Sequence, residues 1–276
     1  MVGIVADTGC DLKHSDEESK GIELVPFKLN IGSRDFIDGF QLDVNEFVKV
    51  MSESEEVVKT SCPAPYDFLE GYEKFGGEDI LCLTISSKLS GTYQSAQIAK
   101  AEFTEKYPDA KIHVFDTKSA SAGESCVAHY IKSLVQEGLP FEEIVEKGEK
   151  YISELKTFFV LESLDNLKKN GRIKKAVGTI LNALHIKPAM WGVDGDIELF
   201  KMQRGFKRSL LHIISHMEKD DTKGKILCIS HVDALDKAEF IKEKVQKNCE
   251  FEKIIITKAL GLSSAYADKG GIVLAY

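Results

Sequence analysis

Short apolar runs of strand length alternate with longer segments of helical period through the first half of the chain, and few architectures tolerate that order. A strand that returns beside a parallel neighbour needs a crossover, usually a helix, so the alternation predicts a parallel sheet with helices on its faces. Strands are expected at Val2–Ala6, Glu23–Leu29, Ile80–Ile85 and Lys111–Phe115, and helices near 43–53, 66–75, 91–105 and 119–137. Except after the second strand, small polar or acidic residues follow at once: Asp7-Thr8-Gly9, Ser86-Ser87 and Asp116-Thr117. Open α/β sheets bind ligands at the carboxyl ends of their strands, so a site is expected there.

Near residue 158 the texture changes. The apolar run Phe158–Leu161 leads into a basic segment and then into strand-like stretches at 185–192 and 196–203, separated by Asp194-Gly195. Asp-Gly between apolar runs signals a hairpin, because a type I′ turn needs positive φ at both central residues. A helix at 206–217, a strand at Lys225–Ser230, a helix at 234–247, a strand at Phe251–Thr257 and a short terminal run complete the pattern. The expected fold is α/β in two α/β domains, 1–158 with a mainly parallel sheet and 159–276 after it, with a ligand tunnel between or beside them. No Pro- or Ser-rich linker intervenes, so the two should pack closely.

At 276 residues, 43% hydrophobic and 29% charged, the chain has a soluble globular profile and needs neither disulfides nor a structural metal to bury a core. Its net charge of -8 opposes a polyanionic partner, which argues against nucleic acid. The six cysteines, Cys10, Cys62, Cys82, Cys126, Cys228 and Cys249, form no C-x-x-C pair, so zinc and redox motifs are absent. Cys82 and Cys228 lie in apolar runs as reduced thiols would, which points to the cytoplasm. No basic leader precedes Asp7, Val2 stands where myristoylation needs glycine, and no stretch approaches roughly eighteen apolar residues, so no membrane span is expected.

The most distinctive segment is Ser86-Ser87-Lys88-Leu89-Ser90-Gly91-Thr92-Tyr93-Gln94-Ser95-Ala96, leaving a strand and entering a helix. Hydroxyls, exposed first-turn N–H groups and Gly91, which permits close approach, make an anion cradle. Ordinary capping accounts for one or two of these hydroxyls. In Lys59-Thr60-Ser61-Cys62-Pro63-Ala64-Pro65 two prolines stiffen a loop entering a helix; it is a helix entry that also pre-positions a hydroxyl. The basic run from Leu164 to Lys175 holds Arg172 just after Asn170-Gly171. It reads as a solvated face, as a bidentate site for carboxylate or phosphate, or as a docking surface for an acidic partner, and these readings stay open. His212 and His216 have helical spacing without a third ligand, Cys126 with His129 lies in an apolar helical stretch, and His231 directly follows a strand. No nucleophile elbow, dinucleotide fingerprint, phosphate loop or zinc-protease motif is present, so no cofactor is expected.

Taken together, Val5-Ala6-Asp7-Thr8-Gly9-Cys10-Asp11, Thr60-Ser61-Cys62-Pro63, Ser86 to Ala96, Asp116-Thr117-Lys118-Ser119, Leu164 to Ile173 and Ile186-Lys187-Pro188 resemble the DegV family of bacterial fatty-acid-binding proteins along the whole chain. The resemblance implies a two-domain α/β protein, not itself an enzyme, holding one long-chain fatty acid in an interior tunnel. It implies that Thr60 and Ser90, with Ser87 beside them, hydrogen-bond the carboxylate and that Arg172 lies near it. It further implies presentation of the bound acid to a separate fatty-acid kinase that forms an acyl phosphate. Asn170 replaces the first glycine of the family's G-G-R-I turn, and Cys62 and Ala64 replace its usual polar residues beside the threonine. The family's terminal His-Thr-Gly-Pro-Gly string reads Ala267-Asp268-Lys269-Gly270-Gly271 here, placing Asp268 at or beside the missing histidine and near the head group. Two rivals remain: a serine-dependent acyl hydrolase or transferase using Ser90, and a ligand-free interaction protein using the basic turn.

Overall fold

The computed structural model describes residues 2–12, 20–173 and 186–276; Lys174 and Lys175 of the basic run lie outside them. The first sheet consists of β1 (Val2–Asp7), β2 (Ile22–Val25), β6 (Asp79–Thr84) and β7 (Ile112–Asp116), in the order β2-β1-β6-β7. All its pairs are parallel, with Ile4 beside Ile22, Val5 beside Cys82 and Cys82 beside Val114. Helices α2 (Pro65–Glu73) and α3 (Thr92–Lys106) cover one face with Phe68, Tyr72, Ala96 and Phe103. The opposite face packs on α4 (Ala122–Gln136) and α5 (Phe141–Glu154) through Val127, Ile131, Ile144 and Ile152. Burial on both faces is why these strands read as unbroken apolar runs.

The expected strand Glu23–Leu29 is two strands. β2 ends at Val25, because Pro26 has no N–H to continue a ladder. β3 (Lys28–Ile31) then joins β4 (Arg34–Ile37) and β5 (Lys59–Ser61) in a separate antiparallel sheet of order β4-β3-β5. Helix α5, not among the expected helices, buries Ile144, Gly148 and Ile152 at four-residue spacing, the stripe of a one-sided helix.

The second sheet is mixed, in the order β10-β9-β8-β13-β11-β12. It comprises β8 (Thr157–Val160), β9 (Ala189–Val193), β10 (Asp196–Lys201), β11 (Ile226–His231), β12 (Lys253–Lys258) and β13 (Ile272–Ala275). The hairpin at Asp194-Gly195 forms as expected, with φ of 47° and 84°. On the outer face Phe158, Val160, Leu227, Ile229 and Leu274 meet α7 (Phe206–Met217) and α8 (Leu235–Asn248). The short terminal run is helix α9 (Gly261–Ala267) followed by β13, which pairs β8 on one side and β11 on the other.

The inner face of this sheet, with Phe159, Met190, Ile197 and Val273, packs on β3, α1 (Val44–Glu53), α6 (Asp165–Lys169) and α9. Residues 27–61 therefore share a core with the second half of the chain, and the backbone enters the second sheet at Thr157. Two buried carboxylates bind the halves together. Asp11 accepts from Ser121 Oγ (2.6 Å), Ser230 Oγ (2.7 Å) and Leu260 N (2.8 Å). Asp38 accepts from Gly261 N (2.7 Å) and Leu262 N (2.9 Å), capping α9. Gly261 is needed there: a Cβ would stand 2.5 Å from Leu29 Cδ1 and 2.8 Å from Asp38 Oδ1. Among the described residues no helix is long and apolar enough to cross a membrane.

Candidate functional site

Chain order in the parallel sheet reverses between β1 and β6, since β2 lies on one side of β1 and β6 on the other. Such a switch point opens a crevice at the carboxyl ends of the strands. A cavity of about 440 Å³ lies there, closed on its other side by the inner face of the second sheet. Phe27, Ile85, Leu89 and Leu262 line one wall, and Phe159, Leu161, Ile197 and Val273 the other. Thr60, Ser90, Gly91, Arg172 and Tyr266 also line it.

Thr60 sits in β5, where its Oγ1 shares a 2.8 Å hydrogen bond with the Tyr266 hydroxyl from α9. One proton closes that bond and the other is left for a ligand acceptor. The loop after β6 is held from below by Asp7 at the end of β1, which accepts from Ile85 N (3.0 Å), Thr92 Oγ1 (3.1 Å) and Gly9 N (2.8 Å). Ser90 Oγ accepts from Thr92 N at 3.3 Å, a local turn bond that leaves its own proton free to donate. A Cβ at Gly91 would meet Cys62 Sγ at 3.5 Å, an ordinary contact, so neither space nor backbone conformation demands glycine there. Arg172 is fixed by its Nε, which donates to Leu89 O at 3.1 Å, and by Nη1, which donates to Asn170 O. Asn170 Nδ2 in turn donates to Val58 O (3.2 Å) and Asn166 O (2.9 Å), so the asparagine at the glycine position ties the turn to the strand leading to Thr60.

Thr60, Ser90, Gly91 and Arg172 are thus brought to one cavity, whereas Ser87 and Asp268 are not on it. Ser87 turns outward, its N and Oγ both donating to the Asp116 carboxylate. Asp268 ends α9 at φ 59°, its N donating to Ser264 O (3.0 Å) and its Oδ1 accepting from Lys269 N (2.7 Å). Helix geometry directs Tyr266 and Ala267 to the cavity and leaves Asp268 as the cap. The expectation that Asp268 lies near the head group finds no lining contact in the structure, where the cavity wall stops at its neighbour Ala267. Tyr266 carried no sequence signal beyond a hydroxylated aromatic in a short terminal run.

Several other lining hydroxyls have protein partners, although a hydroxyl pair again keeps one proton to spare. Ser119 Oγ and Thr157 Oγ1 share a 2.7 Å bond, and Ser121 Oγ donates to Asp11. Beneath the loop lies a buried acid cluster. Burial pushes Asp7 up to about 7 and Asp38 up to about 6, against the lowering pull of their backbone N–H partners. Burial, followed by the nearby Asp7 and Asp11 charges, holds Glu124 well above the carboxylate range. The remaining candidates have structural partners: Cys126 Sγ donates to Ala275 O (3.2 Å), His231 Nδ1 accepts from Ala234 N (3.2 Å), and His216 Nε2 lies 3.8 Å from Asp220. No group of three or more metal-ligating side chains occurs among the described residues.

Comparison with known proteins gives a match over residues 1–276 to the family model described as "Uncharacterised protein, DegV family". A DegV domain-containing protein of Streptococcus pyogenes serotype M1 is 34% identical, the alignment spanning 99% of this chain and 98% of the relative. The crystal structure of a DegV family protein from Ruminococcus gnavus, refined with vaccenic acid, superposes with a TM-score of 0.92 at 33% identity, covering 100% of this chain and 99% of that one. The Streptococcus pneumoniae Fatty Acid Kinase (Fak) B3 protein loaded with linoleic acid gives 0.91 at 31% identity, again over 100% and 99% of the two chains.

Proposed function

This chain belongs to the DegV family, and from that premise we propose that it holds one long-chain fatty acid in the cavity and presents the carboxylate to a separate fatty-acid kinase. The observation that carries this reading is the polarity of the cavity. Thr60, Tyr266 and Ser90 bring hydroxyl donors together with the Arg172 guanidinium, whereas the one proton that the Ser119–Thr157 pair keeps spare stands without an arginine and Lys118 is engaged by Asp194. An ionised head group accepts from the two spare hydroxyl protons and from the guanidinium N–H groups that Leu89 and Asn170 leave unused. The tail lies against Phe159, Leu161, Ile197 and Val273. Each buried methylene contributes about 0.8 kcal/mol, so a long acyl chain gains on the order of 10 kcal/mol before the costs of immobilisation. Apolar burial supplies affinity, and the few polar groups supply orientation.

Two relatives are described with bound fatty acids, vaccenic and linoleic, and the second is named for its part in a fatty-acid kinase. The protein itself carries out no acyl chemistry in this reading; activation belongs to the kinase. The ligand lies between the parallel-sheet unit and the unit built on the second sheet, which residues 27–61 join across the expected boundary near 158, and the six cysteines, none in a disulfide, suit a reducing cytoplasm. Native mass spectrometry of freshly purified protein tests the proposal: a stoichiometric, dissociable acyl adduct is expected. A covalent adduct on serine points to an acyltransferase instead. Absence of any lipid, together with no uptake of added palmitate, refutes the proposal.

A further inference from the structure

We infer that Gly192 sets how far the acyl chain can run and so selects the length of fatty acid held; the inference rests on the fatty-acid reading of the cavity. The cavity has a direction. Leu161, just beyond β8, leads through α6 to Arg172, and Asn166 of that helix donates to Ala265 O at 2.8 Å beside Tyr266. That is the head-group end. Going back along β8 the inward side chains are Leu161, Phe159 and Thr157, so Thr157 stands about 13 Å from Leu161 at strand rise. The antiparallel register that pairs Phe159 with Met190 sets Gly192 opposite Thr157, at the far end of this inner face.

Gly192 lines the cavity on a face whose other positions carry Phe159, Ile197 and Val273. Its φ is outside the positive range, so no turn or left-handed residue calls for glycine, and glycine weakens a strand interior. A Cβ built there meets only Thr157 Cβ, at the ordinary contact distance of 3.8 Å. A side chain at this position would therefore enter the space left for the tail without displacing the sheet. Around it Ser119 and Thr157 share one bond, which leaves a single hydroxyl proton over, and Ser86 Oγ donates to Gly195 O at 2.8 Å. The far end thus offers room for methylenes, and its charged lining residues Lys118 and Asp196 are paired with Asp194 and Lys88.

The test compares wild type with Gly192→Ala and Gly192→Val after delipidation and loading with an equimolar mixture of laurate, myristate, palmitate and stearate, read by native mass spectrometry. The valine variant is expected to shift occupancy toward the shorter acids. Where two methylenes are excluded, stearate should fall roughly fifteenfold relative to myristate. The alanine variant should shift the same way by less, and it decides the matter if the valine protein does not fold. Identical occupancy profiles in wild type and alanine variant, or in wild type and a folded valine variant, overturn the inference while leaving the fatty-acid reading standing. A wild type that takes up none of the four acids overturns that reading itself.

Discussion

Asp7 holds both ends of the head-group loop from a position closed to solvent, so its ionisation is coupled to folding. Asp7→Asn isolates the effect, because asparagine keeps the size and one carbonyl acceptor but cannot ionise. Burial raises the folded Asp7 carboxyl from 3.8 to about 7. The folded state therefore favours the protonated acid. Its contribution is fully present below the unfolded value and is lost as pH rises through the folded one. Three units of difference correspond to about 4 kcal/mol, at about 1.4 kcal/mol per pH unit through the middle of the window. Urea unfolding can be followed by the single tryptophan, Trp191, which stacks on Phe158 with centroids 6.1 Å apart. Measured from pH 4 to 7, which sweeps about 2.5 of those units, wild type should lose roughly 3.4 kcal/mol of stability relative to the variant. The surface carboxylates titrate alike in both proteins and cancel in the difference, whereas Asp38 and Glu124 feel the Asp7 charge, so the difference reads Asp7 together with its coupling to them. Parallel stability curves would refute the assignment of a buried, protonatable Asp7.

Thr60→Ala removes a donor to the charged head and its tie to Tyr266, and fatty-acid affinity in a fluorescent displacement assay should fall by about 1.5–3 kcal/mol, or roughly ten- to a hundredfold. Arg172→Ala should lower acyl-phosphate formation by an added acyl kinase more than it lowers equilibrium binding; equal losses in the two assays would make the turn purely structural. Asp268→His should leave both affinity and its pH profile between about 5 and 8 as in wild type, because residue 268 caps α9 outside the cavity. A flattened profile in that titration would return Asp268 to the ligand.

Strands β1, β6 and β7 were legible because burial on both faces leaves apolar runs that need no knowledge of their neighbours. The Asp194-Gly195 hairpin was legible for a different reason, since positive φ at adjacent residues is a local demand that composition reveals. Pro26 was visible too, yet the apolar run across it masked the change of sheet between Val25 and Lys28. The terminal run was harder: Val273 is inward only because Phe159 lies opposite it, a pairing between distant parts of the chain. At the site, the hydroxyl-rich loop identified Ser90 but could not say that Ser87 would turn to Asp116. Tyr266 became identifiable only once α9 stood beside β5. The acids Asp38 and Glu124 look like surface residues in sequence, and their burial is a consequence of assembly.

The placement of β13 has a kinetic consequence. Its ladder partners β8 and β11 are made earlier, and Thr157 meets Ala275 across well over a hundred positions of chain. Contacts of such separation form late, because loop-closure entropy must be overcome before they return any stabilisation. Until β13 inserts, β8 and β11 each present an unpaired edge carrying apolar residues such as Phe158 and Ile229, and exposed edges of that kind template intermolecular pairing. A nascent chain is therefore most vulnerable to aggregation between completion of β11 and arrival of Ile272–Ala275. A chaperone that shields those two edges should raise refolding yield more than one acting on the parallel sheet.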